Sequence, residues 1–383
     1  MNSHYIPRLL LRQFAEKDKV NTYDFSTNTV STKKLKNTFM EKDIFDEELE
    51  QSFAKRLEGP FADLLNHKLL HGETISLNRR ENLLLRKFML INFLRAPIVN
   101  GSWETMVQRT KLKDHPSVQA HDFLCRHHPE YKEMMEKSMP SDKTYLSDLK
   151  KAMEIGSLEE LANPANNSVS DTLRLAATQA MVTTMAFWDC TEAEQEFILP
   201  KLPGISQMDQ VSIFYKGLVL KELQERKGQE GKKVPFIVQR ELERLMHGNL
   251  FYMENFSIHP LSPTRALICF SPYFRAFFPM MDEWERQEVH PPLLSEEQFQ
   301  RHFFKKTRME LFRPCKTIRN QYYFYDVKHL TVEEVMELNS QLLDMETEEF
   351  VFHDFNKLRD AFWYYDHKVK LALEKKHDFS NLE

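Results

Sequence analysis

The chain has 383 residues and a mass of 45.6 kDa, which is enough to bury one large core or two ordinary ones. Its net charge of −5 at pH 7 excludes a protein that is basic throughout, although it leaves room for a local basic groove. The four cysteines lie far apart with no CxxC pair, which excludes a zinc ribbon and a thioredoxin-like motif and indicates reduced thiols.

The apolar segments of the chain are short. The opening MNSHYIPRLLLRQF has no long apolar region, which excludes a signal peptide, and the stretch LICFSPYFRAFFPMM is too interrupted to span a bilayer. We therefore expect a cytoplasmic protein that has no membrane partner. Only 9 glycines, together with many long charged side chains, favour helix over sheet.

The first half of the chain predicts helices around one β-hairpin. Pro7 suits the first turn of a helix that continues to Phe14. The segment VNTYDFSTNTVSTKKL, residues 20–35, is rich in Val, Thr and Tyr around a turn and predicts a hairpin. Residues 46–72 predict two helices divided at Gly59-Pro60, and residues 78–95 predict another that ends before a proline.

The second half also predicts mainly helix. Residues 101–157 are charged and are interpreted as a peripheral helical insertion, whereas SVSDTLRLAATQAMVTTMAFW, residues 168–188, predicts one long core helix. Helices are expected near 208–226 and 236–247, and strands near 250–270 and at YYFYDV. The predicted fold class is mostly α (α+β), a helical protein with a small antiparallel β-sheet in a single domain, 1–383.

The opening helix carries two arginines on one face. Arg8 and Arg12 are four residues apart, where like charges repel, so an acidic group is expected to compensate them. A bound phosphate fits, because arginine presents a planar fork to it. We interpret both as candidate substrate-binding residues and His4, just ahead, as a candidate acid–base residue. The alternative is that both arginines are solvated or pair with Glu41, Glu58 or another acid.

Arg95 is the third candidate for substrate binding. In LLLRKFMLINFLRAP it continues the apolar stripe of Leu84, Phe88 and Ile91. A buried arginine requires a partner, because an unpaired buried charge costs several kcal/mol. It either complements the last carbonyls of its helix or points into a polar pocket. We expect His4, Glu58 and Arg95 to share one pocket.

Histidine clusters do not predict a metal site. Asp63, His67 and His71 lie on one helix face, but the first and last are about 12 Å apart along the axis, at ~1.5 Å per residue. The same objection holds for the segment HDFLCRHH, residues 121–128. The metal motif HExxH, the phosphate-binding P-loop and GxGxxG, and the hydrolase motif GxSxG are all missing.

His259 is the last candidate. It lies in SIHPLSPTRALICFS beside Pro260 and Pro263, in a turn expected between two strands, where rigid prolines place side chains at a strand end. We interpret it as a candidate catalytic residue. The alternative is a turn histidine in solvent.

These landmarks, in this order, resemble the bacterial family catalogued as domain of unknown function 4238. Its members open on His-Tyr-hydrophobic-Pro and Leu-Arg-x-Phe, and the resemblance spans almost the whole chain. It implies a bacterial, cytosolic protein and supplies no reaction. The matching positions here are His4 to Pro7, Leu11, Arg12 and Phe14, the hairpin at 20–35, Glu41 to Phe45, Leu57 to Gly59, Arg95 to Pro97, Pro260 to Pro263, Val335 to Asn339 and Phe350 to Phe352.

One departure from the family bears on catalysis. Many members carry Phe-Ile-Thr-Ser-Asp-x-Pro, where this chain reads FILPKLP at residues 197–203, without the Asp. A metal ligand or general base at that Asp would be missing here, which weakens a catalytic interpretation.

Two functions stay open. The first is a hydrolase directed at phosphate esters, a nuclease or nucleotide hydrolase with a role in phage defence. Its candidate catalytic residues are His4, Glu58 and His259, its anion-binding residues are Arg8, Arg12 and Arg95, and its partner is nucleic acid or a nucleotide. The second is a non-catalytic protein whose polar pocket is structural or binds a ligand or an acidic partner.

Overall fold

The described part of the chain contains both strands and helices from its first residues to its last. The computed structural model describes residues 2–4, 6–42, 44–95, 125–127, 129, 142–201, 206–208, 255–270, 322–345, 348–367 and 379. The strands are β1 (Asn2–His4), β2 (Lys19–Asp24), β3 (Thr29–Lys34), β4 (Met40–Lys42), β5 (Thr74–Asn78), β6 (Thr184–Asp189), β7 (Leu199–Pro200), β8 (Ser206–Met208), β9 (Asn255–Pro260), β10 (Arg265–Phe270), β11 (Tyr322–His329) and β12 (Glu349–Phe352). The α-helices are α1 (Arg8–Leu11), α2 (Glu47–Ser52), α3 (Gly59–Leu64), α4 (Arg79–Arg95), α5 (Asp142–Glu154), α6 (Leu158–Leu161), α7 (Asp171–Val182), α8 (Val332–Met345) and α9 (Phe355–His367).

The described strands form three sheets. Their orders are β5-β11-β6-β10-β9-β8, β3-β2-β12-β7 and β1-β4. Strand β11 runs parallel to β6, and the other recorded pairings are antiparallel. The predicted helical protein with a small antiparallel sheet is therefore wrong, because this is a mixed α and β fold. Short strands such as β5, β7 and β12 pair with partners distant in the chain, and the local sequence pattern does not predict them.

The segment 168–188 shows how the helix prediction failed. Helix α7 ends at Val182, and the residues that follow form β6 in the middle of the six-stranded sheet. Because Phe187 and Trp188 are both buried, the strand has an apolar run on both faces that resembles a buried helix.

The six-stranded sheet separates two hydrophobic cores. Phe187 and Leu267 pack into one core with side chains of α4 and α7. Their neighbours Trp188 and Ile268 point to the opposite face and pack with α8 and α9. This alternation is the period-two geometry of a strand. Both faces of the sheet are therefore buried at its central strands β6 and β10.

Gly59 and Pro60 do not break the helix that carries them. The chain continues as α2, a π-helical turn (Phe53–Glu58), α3 and a second π-helical turn (Leu65–Leu69). Pro60 lies in the first turn of α3, where a missing N–H is tolerated. A Cβ on Gly59 would lie 3.2 Å from the Ala54 carbonyl oxygen. Glycine avoids this close contact next to the wide π-helical turn.

The opening segment is folded onto the rest of the protein. Strand β1 pairs with β4, matching His4 to Met40. In α1 and the 3₁₀ turn after it, Leu10, Leu11 and Phe14 are all buried. Their burial holds the N-terminus against the helix of Phe53 and Leu57 within one core.

Several predictions fall partly or wholly on other residues. Most of the 101–157 insertion and both helices predicted at 208–226 and 236–247 lie outside the described residues. Within that insertion, α5 buries Leu149 and Ala152 in the core that contains α4. No helix in the described ranges has the length and apolar character needed to cross a bilayer.

Candidate functional site

Arg95 ends α4 inside the protein, 1% exposed. Its Nη1 donates to Glu58 Oε1 at 2.6 Å, and its Nη2 donates to the His4 backbone oxygen at 2.7 Å. The guanidinium carbon lies 4.2 Å from the centre of the Phe53 ring. Of the two expectations for Arg95, the shared polar site describes its contacts, because both of these hydrogen bonds reach other elements.

His4 is buried beside this ion pair. Its Nδ1 lies 3.1 Å from the Thr38 backbone oxygen, so Nδ1 carries the proton and donates it, and Nε2 is left as the basic nitrogen. Burial lowers the pKa of His4, and the charges of Arg8 and Arg95 act in the same direction. The ring is therefore neutral at pH 7, with no partner recorded for Nε2 among the described residues.

Glu50 is the member of this cluster that the sequence analysis missed. It lies eight residues before Glu58 on the same continuous helix. Burial raises the pKa of Glu50, while the charge of Arg95 and a hydrogen bond with Ser3 oppose the rise. Glu50 Oε1 is buried with no hydrogen-bond partner in the described part of the chain. Helical periodicity, at close to two turns, is the signal that could have indicated it.

The two opening arginines remain at the surface. Arg8 and Arg12 are both exposed, and neither makes an ion pair with a described residue. Arg8 lies close enough to His4 for its charge to lower the pKa of that ring. The cluster of His4, Glu50, Glu58 and Arg95, called the N-terminal cluster below, therefore has an exposed arginine at its edge.

His259 is not part of the N-terminal cluster. It lies within β9 rather than in a turn, and its Nε2 is 2.8 Å from Ser257 Oγ on the same face of the strand. Burial lowers the pKa of His259 to about 3. The described contacts thus bring three of the six predicted site residues, His4, Glu58 and Arg95, into one cluster, place Arg8 at its edge and leave His259 elsewhere.

The described histidines of the candidate metal motifs make other contacts. His67 Nδ1 donates to the Asp63 backbone oxygen at 2.8 Å, and both side chains are exposed. His121 and His128 lie outside the described residues. In the ranges that the structure describes, no three His, Cys, Asp or Glu side chains are arranged to hold one metal ion.

A second polar cluster lies at one end of the six-stranded sheet, and the sequence analysis did not predict it. Arg265 begins β10, and its Nη2 lies 3.0 Å from Asp189 Oδ2 at the end of β6, with both side chains 6% exposed. His329, which ends β11, hydrogen-bonds Glu73 through Nε2 and holds Nδ1 3.9 Å from Asp189 Oδ1. The hydrogen bond with Glu73 is the main cause that raises the pKa of His329. We call these four residues the sheet-end cluster.

Comparison with known proteins identifies the family of this chain. The family model described as "Protein of unknown function (DUF4238)" matches residues 2–354 of the chain. No curated protein and no solved structure matches it. The match includes both polar clusters and confirms the family predicted from the landmark residues.

Proposed function

The chain belongs to the DUF4238 family of proteins of unknown function, and from that premise we propose that its N-terminal cluster is an acid–base site that hydrolyses a phosphate ester, as a nuclease or nucleotide hydrolase does. One observation carries the proposal. Two carboxyl groups on one helix lie near Arg95 in different environments. Glu58 is ion-paired with Arg95, whereas burial raises the pKa of Glu50. Carboxyl groups in such different environments suit different roles, with Glu50 as a proton donor and Glu58 as the anion that holds Arg95 in place.

Each residue then has a defined role. The free Nε2 of His4 accepts a proton from a water molecule as the water oxygen attacks phosphorus. Glu50 in its protonated form donates a proton to the leaving oxygen as the P–O ester bond breaks. Arg8 binds the phosphate charge from the surface, with Arg12 one turn away. Arg95 positions Glu58 and the His4 backbone.

One observation favours the second candidate, a structural cluster with no catalysis. Both Nη atoms of Arg95 already donate to protein oxygens, and its plane covers Phe53. These contacts join β1, the Phe53–Glu58 turn and α4 into one unit. In this alternative, Glu50 and His4 serve only the packing of the N-terminus.

The experiment compares conservative variants with a matched control. The purified protein is assayed against bis(p-nitrophenyl) phosphate, p-nitrophenyl phosphate, nucleoside triphosphates and a labelled oligonucleotide. His4→Gln and Glu50→Gln are expected to lower turnover roughly 100-fold, as removal of a general acid or base does. The control is His329→Gln, which changes a histidine of the sheet-end cluster and is expected to retain turnover.

Two results would refute the hydrolase. The first is no turnover of any of these substrates by the unmodified protein. The second is a loss of turnover in His4→Gln and Glu50→Gln that follows a matching loss of Tm, which would support the structural alternative. No contact among the described residues bears on phage defence, which stays a prediction.

A further inference from the structure

Two lysines face each other at the open end of the β2–β3 hairpin. Lys19 and Lys34 are directly opposite in the strand register, and both are exposed. Like charges opposite each other on an antiparallel pair destabilise it. The next lysine along the hairpin differs, because Lys33 is ion-paired with Glu349 of β12. Within the part of the chain that the structure describes, Lys19 and Lys34 have no acidic partner, whereas their neighbour Lys33 has one.

The same surface carries further exposed cations. Lys17 and Lys36 flank the facing pair in sequence, and Arg8 and Arg12 repel one another on the adjoining helical segment. None of these six side chains makes an ion pair within the described residues. Two exposed acids, Glu16 and Asp18, lie among them, so positive charges predominate on this surface, although the chain as a whole carries −5.

Backbone contacts connect this surface with the N-terminal cluster. At the open end of the hairpin, the Leu35 amide donates to the Asp18 backbone oxygen at 3.2 Å, next to Lys36. Thr38 Oγ1 donates to the Lys34 oxygen at 3.1 Å, and the Thr38 oxygen accepts the Nδ1 proton of His4. The end of the hairpin that carries Lys34 and Lys36 is therefore connected through Thr38 to the Nδ1 side of His4.

We infer that this surface binds the phosphodiester backbone of a nucleic-acid strand and places it at the N-terminal cluster. The surface consists of Arg8, Arg12, Lys17, Lys19, Lys34 and Lys36. The inference rests on the proposed function and makes its substrate class a polynucleotide rather than a free nucleotide. Neutralisation of facing lysines by phosphates removes the repulsion that the fold alone leaves in place.

The experiment measures binding of a fluorescein-labelled oligonucleotide by anisotropy, as single strand and as duplex, over a range of salt concentrations. The double variant Lys19→Gln/Lys34→Gln is expected to weaken binding roughly tenfold at low salt, which corresponds to a modest exposed ion pair for each lysine. It is also expected to flatten the log–log salt slope by about 1.4 for a single strand, since each phosphate contact contributes about 0.7.

A control variant separates local charge from total charge. Lys150→Gln/Lys357→Gln changes the net charge by the same amount on α5 and α9 and is expected to bind as the unmodified protein does. Lys34→Glu places opposite charges in register, so it is expected to raise Tm while it weakens binding. A weakened variant with a raised Tm cannot be explained by misfolding.

Several outcomes would overturn the inference. These are equal weakening by both double variants, unchanged binding by Lys19→Gln/Lys34→Gln, or binding to anionic phosphatidylserine vesicles but not to either oligonucleotide. If oligonucleotides fail to bind while p-nitrophenyl phosphate is still hydrolysed with dependence on His4, the polynucleotide inference fails and the proposed function stands. Salt-dependent oligonucleotide binding without hydrolysis supports the surface and refutes the hydrolase.

Discussion

Two buried arginines organise the two polar clusters, and they differ in how their partners meet water. Arg265 pairs with Asp189, and both side chains are 6% exposed. Arg95 is buried as deeply, but Glu58 is 21% exposed. The Arg265–Asp189 pair is therefore isolated from solvent, whereas the Arg95–Glu58 pair contacts solvent through the Glu58 carboxylate. The histidines of the two clusters show the opposite order, because the His329 side chain is 31% exposed whereas His4 is 8% exposed.

The neighbouring histidines also differ in the charges around them. His329 lies against two carboxylates, and the hydrogen bond with Glu73 raises its pKa. His4 lies beside two arginines, and burial lowers its pKa. The surroundings thus favour the charged form of His329 and the neutral form of His4. The same side chain serves opposite purposes because the surrounding charge and burial differ.

The largest expected effect comes from removing either arginine. Arg265→Met is expected to lower the free energy of unfolding by about 3–5 kcal/mol, because it leaves the Asp189 carboxylate buried and unpaired. Arg95→Met is expected near the lower limit of that range, since Glu58 can hydrate through its exposed side. Urea denaturation at pH 7 measures both values.

A double variant checks the cause of the larger loss. Asp189→Leu added to Arg265→Met removes both charges and is expected to recover part of the stability. Equal losses for Arg265→Met and Arg95→Met would show that exposure of the carboxylate does not separate the two clusters.

An intermediate effect is expected in the pH dependence of stability. The pKa of His329 is raised in the folded state, so its contribution is complete below the unfolded value of 6.5 and is lost as pH rises through the folded value. The pKa of His4 is lowered, so the unfolded chain binds more protons, and stability falls as pH drops below 6.5. The two histidines therefore act with opposite signs.

Denaturation between pH 5 and 9 tests these signs. The stability difference between the unmodified protein and His329→Gln is expected to shrink toward alkaline pH and to stay within about 1 kcal/mol, because Glu73 is exposed. His4→Gln is expected to reduce the loss of stability on acidification. Slopes of the same sign for both variants would contradict the assigned charge states.

The smallest effect is expected from the carboxylates at the edges. Glu73→Gln removes an exposed partner of His329 and is expected to cost less than about 0.5 kcal/mol at pH 7. Glu50→Gln is expected to leave stability unchanged or to raise it, because an amide is cheaper to bury than a carboxylate. Thermal denaturation compares the two, and a clear loss of Tm in Glu50→Gln would make Glu50 a structural residue.

Part of the N-terminal cluster was predictable from local patterns. Arg95 continues an apolar stripe and so had to be buried with a partner, and its bond with Glu58 agrees with that expectation. Glu50 was not singled out, because its helical spacing from Glu58 was the one local signal, and the burial that raises its pKa arises only when the helix is docked. His259 was misplaced because the turn begins after Pro260 rather than before it.

The sequence alone determined the family, the β2–β3 hairpin, the ends of α4 and the helical start of the opening segment. The family follows from the order of landmarks along the chain, and the three local elements depend on residues close together, where caps, turns and periodicity act directly. Only the tertiary structure decided that residues 184–189 form a strand, and that Asp189 meets Arg265 and His329 meets Glu73. Such pairings depend on which distant segments bury each other's surfaces, and a strand's conformation is stabilised by those partners rather than by its own residues.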